Sequence, residues 1–382
     1  MKSPVAKRMG AIDASGIRRI FDMAASMKSP VNLGIGQPHF DVPDPIKAEM
    51  QRLTADGFNA YTPTQGVSEL LAALRGQIRD QKGREPEDLL VTSGVSGAIL
   101  LAYEAIFDPG DEFILPDPYF VIYRHAAKLA EAVPVLLDTY PDFRIRRERL
   151  EAAITPRTKA IVLNSPANPT GMILTQGEID TVIEVARRHD LYILCDEIYE
   201  IFNYVGGAYT PVPSPWKAYE KTILLSGFSK SFSMTGWRLG YAAGPAPVLA
   251  EMKKLQQYTF VCAPSVAQKA ALAGFHEGTQ QILRAHVADY ARKRDLVYEG
   301  LLPAFGDKNL VRSEGAFYFF VRSPDGDGDA FVERALAREV LIIPGSVFSS
   351  RSSHFRLSFA ASDETLRRGI DILCQLARGK AL

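Results

Sequence analysis

The chain has 382 residues, 47% hydrophobic and 23% charged, with 44 basic side chains balancing 44 acidic ones. That composition excludes a disordered or collagen-like chain, and a formal charge of zero supplies no global field toward nucleic acid or anionic lipid, so the partners expected are small molecules. At roughly 100 to 200 residues per domain, the length suggests about two domains and a sizeable core.

Near the N-terminus Lys2, Lys7 and Arg8 are not followed by a continuous apolar run, and nowhere do about eighteen apolar residues run together, so neither a signal peptide nor a membrane span is expected. Ile17, Ile20, Phe21 and Ala24 stand at helical spacing and predict a short amphipathic helix over 16–27, in an ordered arm. Leu33-Gly-Ile-Gly36-Gln-Pro38 opens like a dinucleotide fingerprint, but His39 stands where the third glycine is needed and Pro38 opposes a helix. A dehydrogenase is discounted. Tyr61-Thr-Pro-Thr-Gln-Gly66 has the composition of an exposed turn, yet turn chemistry does not explain a Tyr directly before Thr-Pro.

From about residue 67 to 245, helical periodicity alternates with short apolar runs bounded by turn residues, an α/β signature. Strands are expected over 89–92, 112–115, 133–137, 161–164, 191–196 and 222–226, with a helix over 96–107. Runs apolar on both faces suit a mostly parallel sheet with helices on both sides, whose ligands lie outside the carboxyl ends of the strands.

Those strand ends carry the chemistry. Thr92-Ser-Gly-Val95-Ser96-Gly97 joins a strand to a helix and so offers free backbone N–H groups and a helix dipole to an anion. The run 144–149, Arg-Ile-Arg-Arg-Glu-Arg, reads as a solvated helix start. After the strand ending at Asn164, the Pro and Gly of Asn168-Pro-Thr-Gly171 stop the chain at the sheet edge and present the Asn168 amide. Asp196 closes the next strand at its carboxyl edge, either as a helix N-cap or facing a ligand, while Cys195 alternates into the core. Lys230 follows an apolar strand in a run of small hydroxylated residues, with Arg238 eight positions later. Hydroxyls and Arg suit a phosphate, and a neighbouring cation lowers the pKa of the lysine, which favours a Schiff base with an aldehyde.

After about residue 280 the pattern changes to a long charged helix over 282–302 and strands over 315–321 and 355–359, read as a smaller α+β domain. The acidic run 325–329 has Ala330 and Leu336 where a calcium loop needs Gly and Glu, so it reads as a solvated turn. Arg356 lies on an alternating strand near the end of the chain, where pattern alone reads as a surface arginine on a half-exposed strand. The six histidines are dispersed, and the closest two, His276 and His286, are placed on exposed helical surface, so no metal site is expected. Cys195, Cys262 and Cys374, three in number and far apart, argue against a disulfide framework and fit a reducing cytoplasm.

The segment from Ser226 to Gly240 resembles the pyridoxal-phosphate attachment site of class I/II aminotransferases of fold type I, in the aspartate and aromatic aminotransferase branch: Gly227, Ser229, Lys230, Arg238, Leu239 and Gly240 match its pattern. The other motifs follow in the family's order, from Gly36 to Arg356. The resemblance implies a pyridoxal 5'-phosphate cofactor bound to Lys230, with Asp196 on the pyridine nitrogen and Tyr199 with Asn168 on the phenolic oxygen. It places the phosphate on the backbone of Val95 and Ser96, on Arg238 and on Ser229, with Ser226 the alternative hydroxyl, and stacks Phe120, or else Tyr119, on the ring. Gly36 leaves room for substrate, Arg356 and Asn168 hold it, and Tyr61 crosses a homodimer interface to the partner's phosphate.

The fold so implied is α/β, a mostly parallel, seven-stranded-type sheet with helices on both faces plus the smaller α+β domain. The chain divides into an arm with part of the small domain at 1–45, a large cofactor-binding domain at 46–280 and a small domain at 281–382. The implied activity is ping-pong transfer of the amino group of an L-amino acid to a 2-oxo acid, Lys230 acting as general base. The alternatives are a carbon–sulfur β-lyase or decarboxylase on the same scaffold, and a non-enzymatic aminotransferase-like sensing domain. No second cation for a distal carboxylate is identified, and the apolar, aromatic segment 256–264 suits either a substrate side chain or a dimer interface.

Overall fold

The computed structural model describes residues 29–206 and 210–379, together with positions 5, 6, 9, 10, 12, 16 and 27. The arm helix expected over 16–27 lies outside the described residues but for its two ends. The strands in chain order are β1 (Val31–Asn32), β2 (Asp88–Thr92), β3 (Glu112–Asp117), β4 (Val133–Asp138), β5 (Thr158–Asn164) and β6 (Tyr192–Asp196). They continue with β7 (Thr222–Gly227), β8 (Gly240–Gly244), β9 (Tyr318–Arg322), β10 (Val340–Leu341), β11 (Ile343–Pro344) and β12 (His354–Ser358).

Seven strands form one sheet in the order β2-β8-β7-β6-β5-β3-β4. Strands β7, β6, β5, β3 and β4 pair in parallel, whereas β8 runs antiparallel to both β7 and β2. Alternation sends the sheet's side chains into core clusters on its two faces. Val162, Leu194, Leu225 and Ala242 pack with helix Gly94–Ile106 and helix Ala246–Thr259 on one face, while Ile161, Leu163, Ile193 and Cys195 pack with helix Gln176–Arg188 on the other. Cys195 is thus fully buried in the core. Thr175 and Glu178 close a capping box at the start of helix Gln176–Arg188, and Arg187 and Arg188 meet the negative end of its dipole.

The sequence pattern misses β8. Its residues, Gly-Tyr-Ala-Ala-Gly, lack the branched side chains that mark strands, yet all five are buried because helix Gly94–Ile106 presses against them.

A second core gathers around β9, β11 and β12, an antiparallel sheet in the order β11-β12-β9, covered by helix Glu277–Phe305 and helix Asp363–Ala377. Strand β1 pairs with β10, and Ser358 N–H donates to Leu33 O at 2.7 Å, so the segment after residue 30 is built into the C-terminal part of the molecule. Two side chains depart from the sequence reading. His286 is half-buried rather than exposed, because its ring stacks on Phe40 with centroids 3.8 Å apart. Arg144 is not a solvated helix residue: it bonds Ile173 O and Glu314, ahead of helix Arg147–Ala152.

Candidate active site

At the carboxyl ends of β5, β6 and β7 lies a cavity of about 340 Å³. All the residues expected at the site line it, Gly36, Val95, Ser96, Phe120, Asn168, Asp196, Tyr199, Ser229, Lys230, Arg238 and Arg356, with the single exception of Tyr61.

Lys230 sits in the four-residue helix Phe228–Ser231 that β7 leads into, and its Nζ donates to Gly36 O at 2.6 Å. Desolvation, and after it the Arg356 and Arg238 charges, lowers its pKa to about 8 against the opposing pull of Asp196. A lysine so placed is about one tenth free amine at pH 7, far more than an unperturbed lysine.

Asp196 ends β6 on the cavity side. Its Oδ2 accepts from Tyr123 Oη at 2.8 Å and its Oδ1 from Ile198 N–H at 3.1 Å, so it caps the following turn and faces the cavity at once. Burial pushes its pKa up to about 6, while these two hydrogen bonds pull the other way. The carboxyl is poised to ionise fully against a cationic partner.

The part of the wall around Arg238 is built from glycines. Helix Gly94–Ile106 starts without a side-chain cap, leaving its first N–H groups free. A Cβ on Gly94, whose φ is +71°, would stand 2.6 Å from Arg238 Nη2; a Cβ on Gly240 would stand 2.7 Å from Val95 N, and one on Gly227 2.8 Å from the Gly240 Cα. Only glycines let β7, β8 and the helix start approach so closely. Ser229 lines the cavity beside them, whereas the Ser226 hydroxyl faces Glu200 on the other side of the sheet.

Arg356 lines the same cavity. Nη1 donates to Asn168 Oδ1 at 3.0 Å and Nη2 to Gly34 O at 2.6 Å, and the guanidinium lies over the rings of Tyr318 and Phe348 at 4.7 and 4.6 Å. It is 1% exposed, its Nε has no hydrogen-bond partner, and no carboxylate pairs with it among the described residues. A buried fork with which no described carboxylate pairs can take an anionic ligand group. A Cβ on Gly36 would stand 2.7 Å from Tyr318 Oη and 3.8 Å from Arg356 Nη1, filling the space beside the guanidinium.

Two aromatic partners were not anticipated. Tyr123 holds Asp196, and Tyr318 Oη lies 2.8 Å from Tyr199 Oη. The spacing of Tyr123, three residues after Phe120, was the one available signal for the first; Tyr318 is brought in only by the pairing of β9 with β12. Phe120 lines the cavity, while Tyr119 is buried beneath it with its N–H on Phe348 O.

Tyr61 is 83% exposed. Its loop is fixed to the segment 256–264 and the helix after it, through Gln256 to Thr64 O at 2.6 Å and Gln268 to Thr62 Oγ1 at 2.9 Å. Tyr258 and Val261 of that segment are exposed too, and no residue of it lines the cavity.

The profile of the family described as aminotransferase class I and II matches residues 28–373. An aspartate aminotransferase of Pyrococcus abyssi is 34% identical, and an aromatic-amino-acid aminotransferase of Thermococcus litoralis 33% identical, each alignment covering 98% of both chains. Among solved structures, a single mutant of Thermus thermophilus aspartate aminotransferase superposes with a TM-score of 0.92 at 35% identity, over 98% of this chain and 100% of that one.

Proposed function

Since the chain belongs to the class I and II aminotransferase family, and is a pyridoxal-phosphate-dependent enzyme that moves the amino group of an L-amino acid to a 2-oxo acid, we propose that its amino donor carries a neutral, largely apolar side chain. The relatives do not favour a lyase or decarboxylase. Most of the relatives' names specify aspartate and one specifies aromatic amino acids, so the proposal departs from the commoner name and rests on the cavity.

The observation that carries the proposal is the use made of its cations. Lys230, Arg238 and Arg356 are the cations lining the cavity among the described residues, and the cofactor and the α-carboxylate account for all three. Ile35, Val95, Ile99, Phe120, Ile122 and Ile198 make the rest of the lining predominantly apolar. A distal carboxylate placed there would meet no further cation from this chain's described residues.

The residues present fit the cofactor. The free N–H groups of Val95 and Ser96, with Arg238 and Ser229, would hold the phosphate; Asp196 would take the ring nitrogen, Asn168 and Tyr199 the phenolic oxygen, and Phe120 the ring face. When bound, pyridoxal phosphate supplies an aldehyde that condenses with amines and a ring that draws electrons from the substrate α-carbon. Asp196, kept ionised by Tyr123, holds the ring-nitrogen proton. Arg356 and Asn168 would grip the α-carboxylate and orient the Cα–H bond, and Lys230 Nζ, lining the same cavity, would take that proton as its free amine. An amine whose pKa lies near 8 suits a base that must both accept and return a proton.

We further propose a homodimer in which Tyr61 reaches the partner's phosphate site, supported by its exposure alongside Tyr258 and Val261. The proposed domains are 1–45 with 281–382 around β9 and β12, and 46–280 around the seven-stranded sheet; the pairing of β1 with β10 supports the first grouping. A cytoplasmic location is proposed on the three free cysteines; among the described residues no helix is long and apolar enough to cross a membrane.

The test is a titration of the purified holoenzyme with a panel of L-amino acids, without oxo acid, following the visible absorbance of the cofactor. Leucine- and phenylalanine-like donors are expected to bleach it at concentrations at least about tenfold lower than aspartate or glutamate do. A preference for the dicarboxylates overturns the proposal.

A further inference from the structure

Behind the wall that carries Asp196 and Tyr199, on the other side of β6 and β7, lies a buried charge cluster that the chemistry above leaves unused. Asp196 faces the cavity and Glu197 faces away from it, fully buried. Lys82, the last residue of helix Ser68–Lys82, reaches both Glu197 Oε2 and Glu200 Oε2 with its Nζ. Its side chain is 8% exposed. Glu197 Oε1 also accepts from the Ser214 hydroxyl and from Cys195 Sγ, and Glu200 Oε1 accepts from Ser226 Oγ. The phenol of Tyr241 faces the same cluster, and Gln77, Gln81 and Gln280 line the small cavity beside it.

The placement ties this cluster to the site. One ammonium holds both ends of the turn 197–200, and the two residues inside that turn are Ile198 and Tyr199. Glu197 follows Asp196 directly, and Ser226 stands four residues before Lys230. Without Lys82, two carboxylates would share a buried pocket beside a third, a costly arrangement. On the cavity side, the groups facing Asp196 are Tyr123, Tyr103 and Tyr199, all neutral phenols, and Lys230.

We propose that Lys82 is a positioning residue of this active site: by pinning Glu197 and Glu200 it fixes the turn that bears Tyr199 and offsets the negative charge beside Asp196, so that Asp196 stays ionised toward the cofactor. This rests on the assignment of Asp196 and Tyr199 to the cofactor. In support, the Glu197 charge pushes the Asp196 pKa upward; and although burial disfavours the Lys82 charge, the two glutamates hold its ammonium well above the usual lysine range.

The test reads the pH midpoint of the visible cofactor band in the holoenzyme, which follows the proton on the Lys230 nitrogen, and the cofactor dissociation constant. The triad carries a net charge of −1; Lys82→Met makes it −2, Glu197→Gln makes it 0, and the double variant restores −1. The midpoint is expected to rise by about half a pH unit or more in Lys82→Met, to fall in Glu197→Gln, and to return in the double variant. Cofactor is expected to be held several-fold more weakly in Lys82→Met, with rescue in the double variant. A midpoint that does not move, or that moves the same way in all three variants as simple disruption would make it, overturns the proposal. Should Lys82→Met fail to fold, Glu197→Gln and the double variant still decide the ordering. Asp196→Asn is the control: a midpoint that responds to it but not to the triad overturns the role of Lys82 alone, and one that ignores Asp196→Asn overturns the underlying assignment as well.

Discussion

Tyr123 Oη donates to Asp196 Oδ2 at 2.8 Å, joining the helix after β3 to the end of β6 across 73 residues of sequence. Burial drives the Asp196 carboxyl toward its neutral form, and this hydroxyl is the first of the groups that oppose it. Tyr123→Phe removes the bond and keeps the ring. Cofactor affinity is expected to fall about tenfold, the worth of one hydrogen bond to a charged acceptor. Because the lost bond lowers the carboxyl pKa, its removal raises that pKa further. The acid limb of cofactor retention therefore moves to higher pH, by up to about one unit. Equilibrium titration with cofactor between pH 5 and 8 checks both; an unmoved limb counts against the assignment.

Gly94 and Gly110 both have positive φ, +71° and +88°, but a Cβ on Gly94 meets Arg238 Nη2 whereas one on Gly110 meets nothing within 4 Å. Alanine at either position costs about 1 to 3 kcal/mol of backbone strain. Only Gly94→Ala displaces the guanidinium as well, so it is expected to weaken cofactor binding at least about tenfold more than Gly110→Ala at comparable loss of thermal stability. Melting curves with and without cofactor separate the two effects.

If Tyr61 serves the neighbouring site, chains inactivated at Tyr61 and chains inactivated at Arg356 complement each other. A hybrid dimer then has one intact site and one doubly damaged site, so random mixing recovers up to about a quarter of native activity. Activity after mixed refolding, with hybrids confirmed by differential tagging, is the measurement; hybrids that form and stay inactive refute the cross-subunit role.

The lysine amine must be unprotonated to capture the cofactor. With its pKa lowered to about 8, the rate of cofactor capture by the apoprotein is expected to climb nearly tenfold per pH unit below about pH 7.5 and to level off above about 8.5. Stopped-flow absorbance resolves this. A plateau reached only above pH 10 would mean that burial and the two arginines leave the amine unperturbed.

The parts of this site legible in the sequence are those where an apolar strand ends in a residue of unusual chemistry: Asn164 with Asn168, Asp196 and Lys230 announce themselves because the pattern around them is otherwise continuous core. Strand β8 is not legible, since a strand of Gly and Ala is stabilised by what presses on it rather than by its own side chains. The same holds for Tyr123 and Tyr318, whose roles are set by partners 73 and 119 residues away. Lys82 reads from sequence as an ordinary basic residue at a helix end, and only the fold sets it against Glu197, 115 residues later. The half-burial of His286 likewise comes from Phe40, across the interface of helix Glu277–Phe305 with the N-terminal segment.

Arg356 holds Gly34 O across 322 residues, and Ser358 holds Leu33, whereas Val95 through Arg238 gather within one continuous stretch of chain. Contact order therefore differs between the two halves of the site. The residues this chain itself offers to the cofactor, Val95 through Arg238, have all emerged once the first two thirds of the polypeptide are made, but the substrate clamp closes only when Gly34 and Arg356 meet. Loosening the contacts of Gly34 and Leu33 with Arg356 and Ser358 is therefore expected to cost the protein its grip on amino acids before it costs the colour of its cofactor.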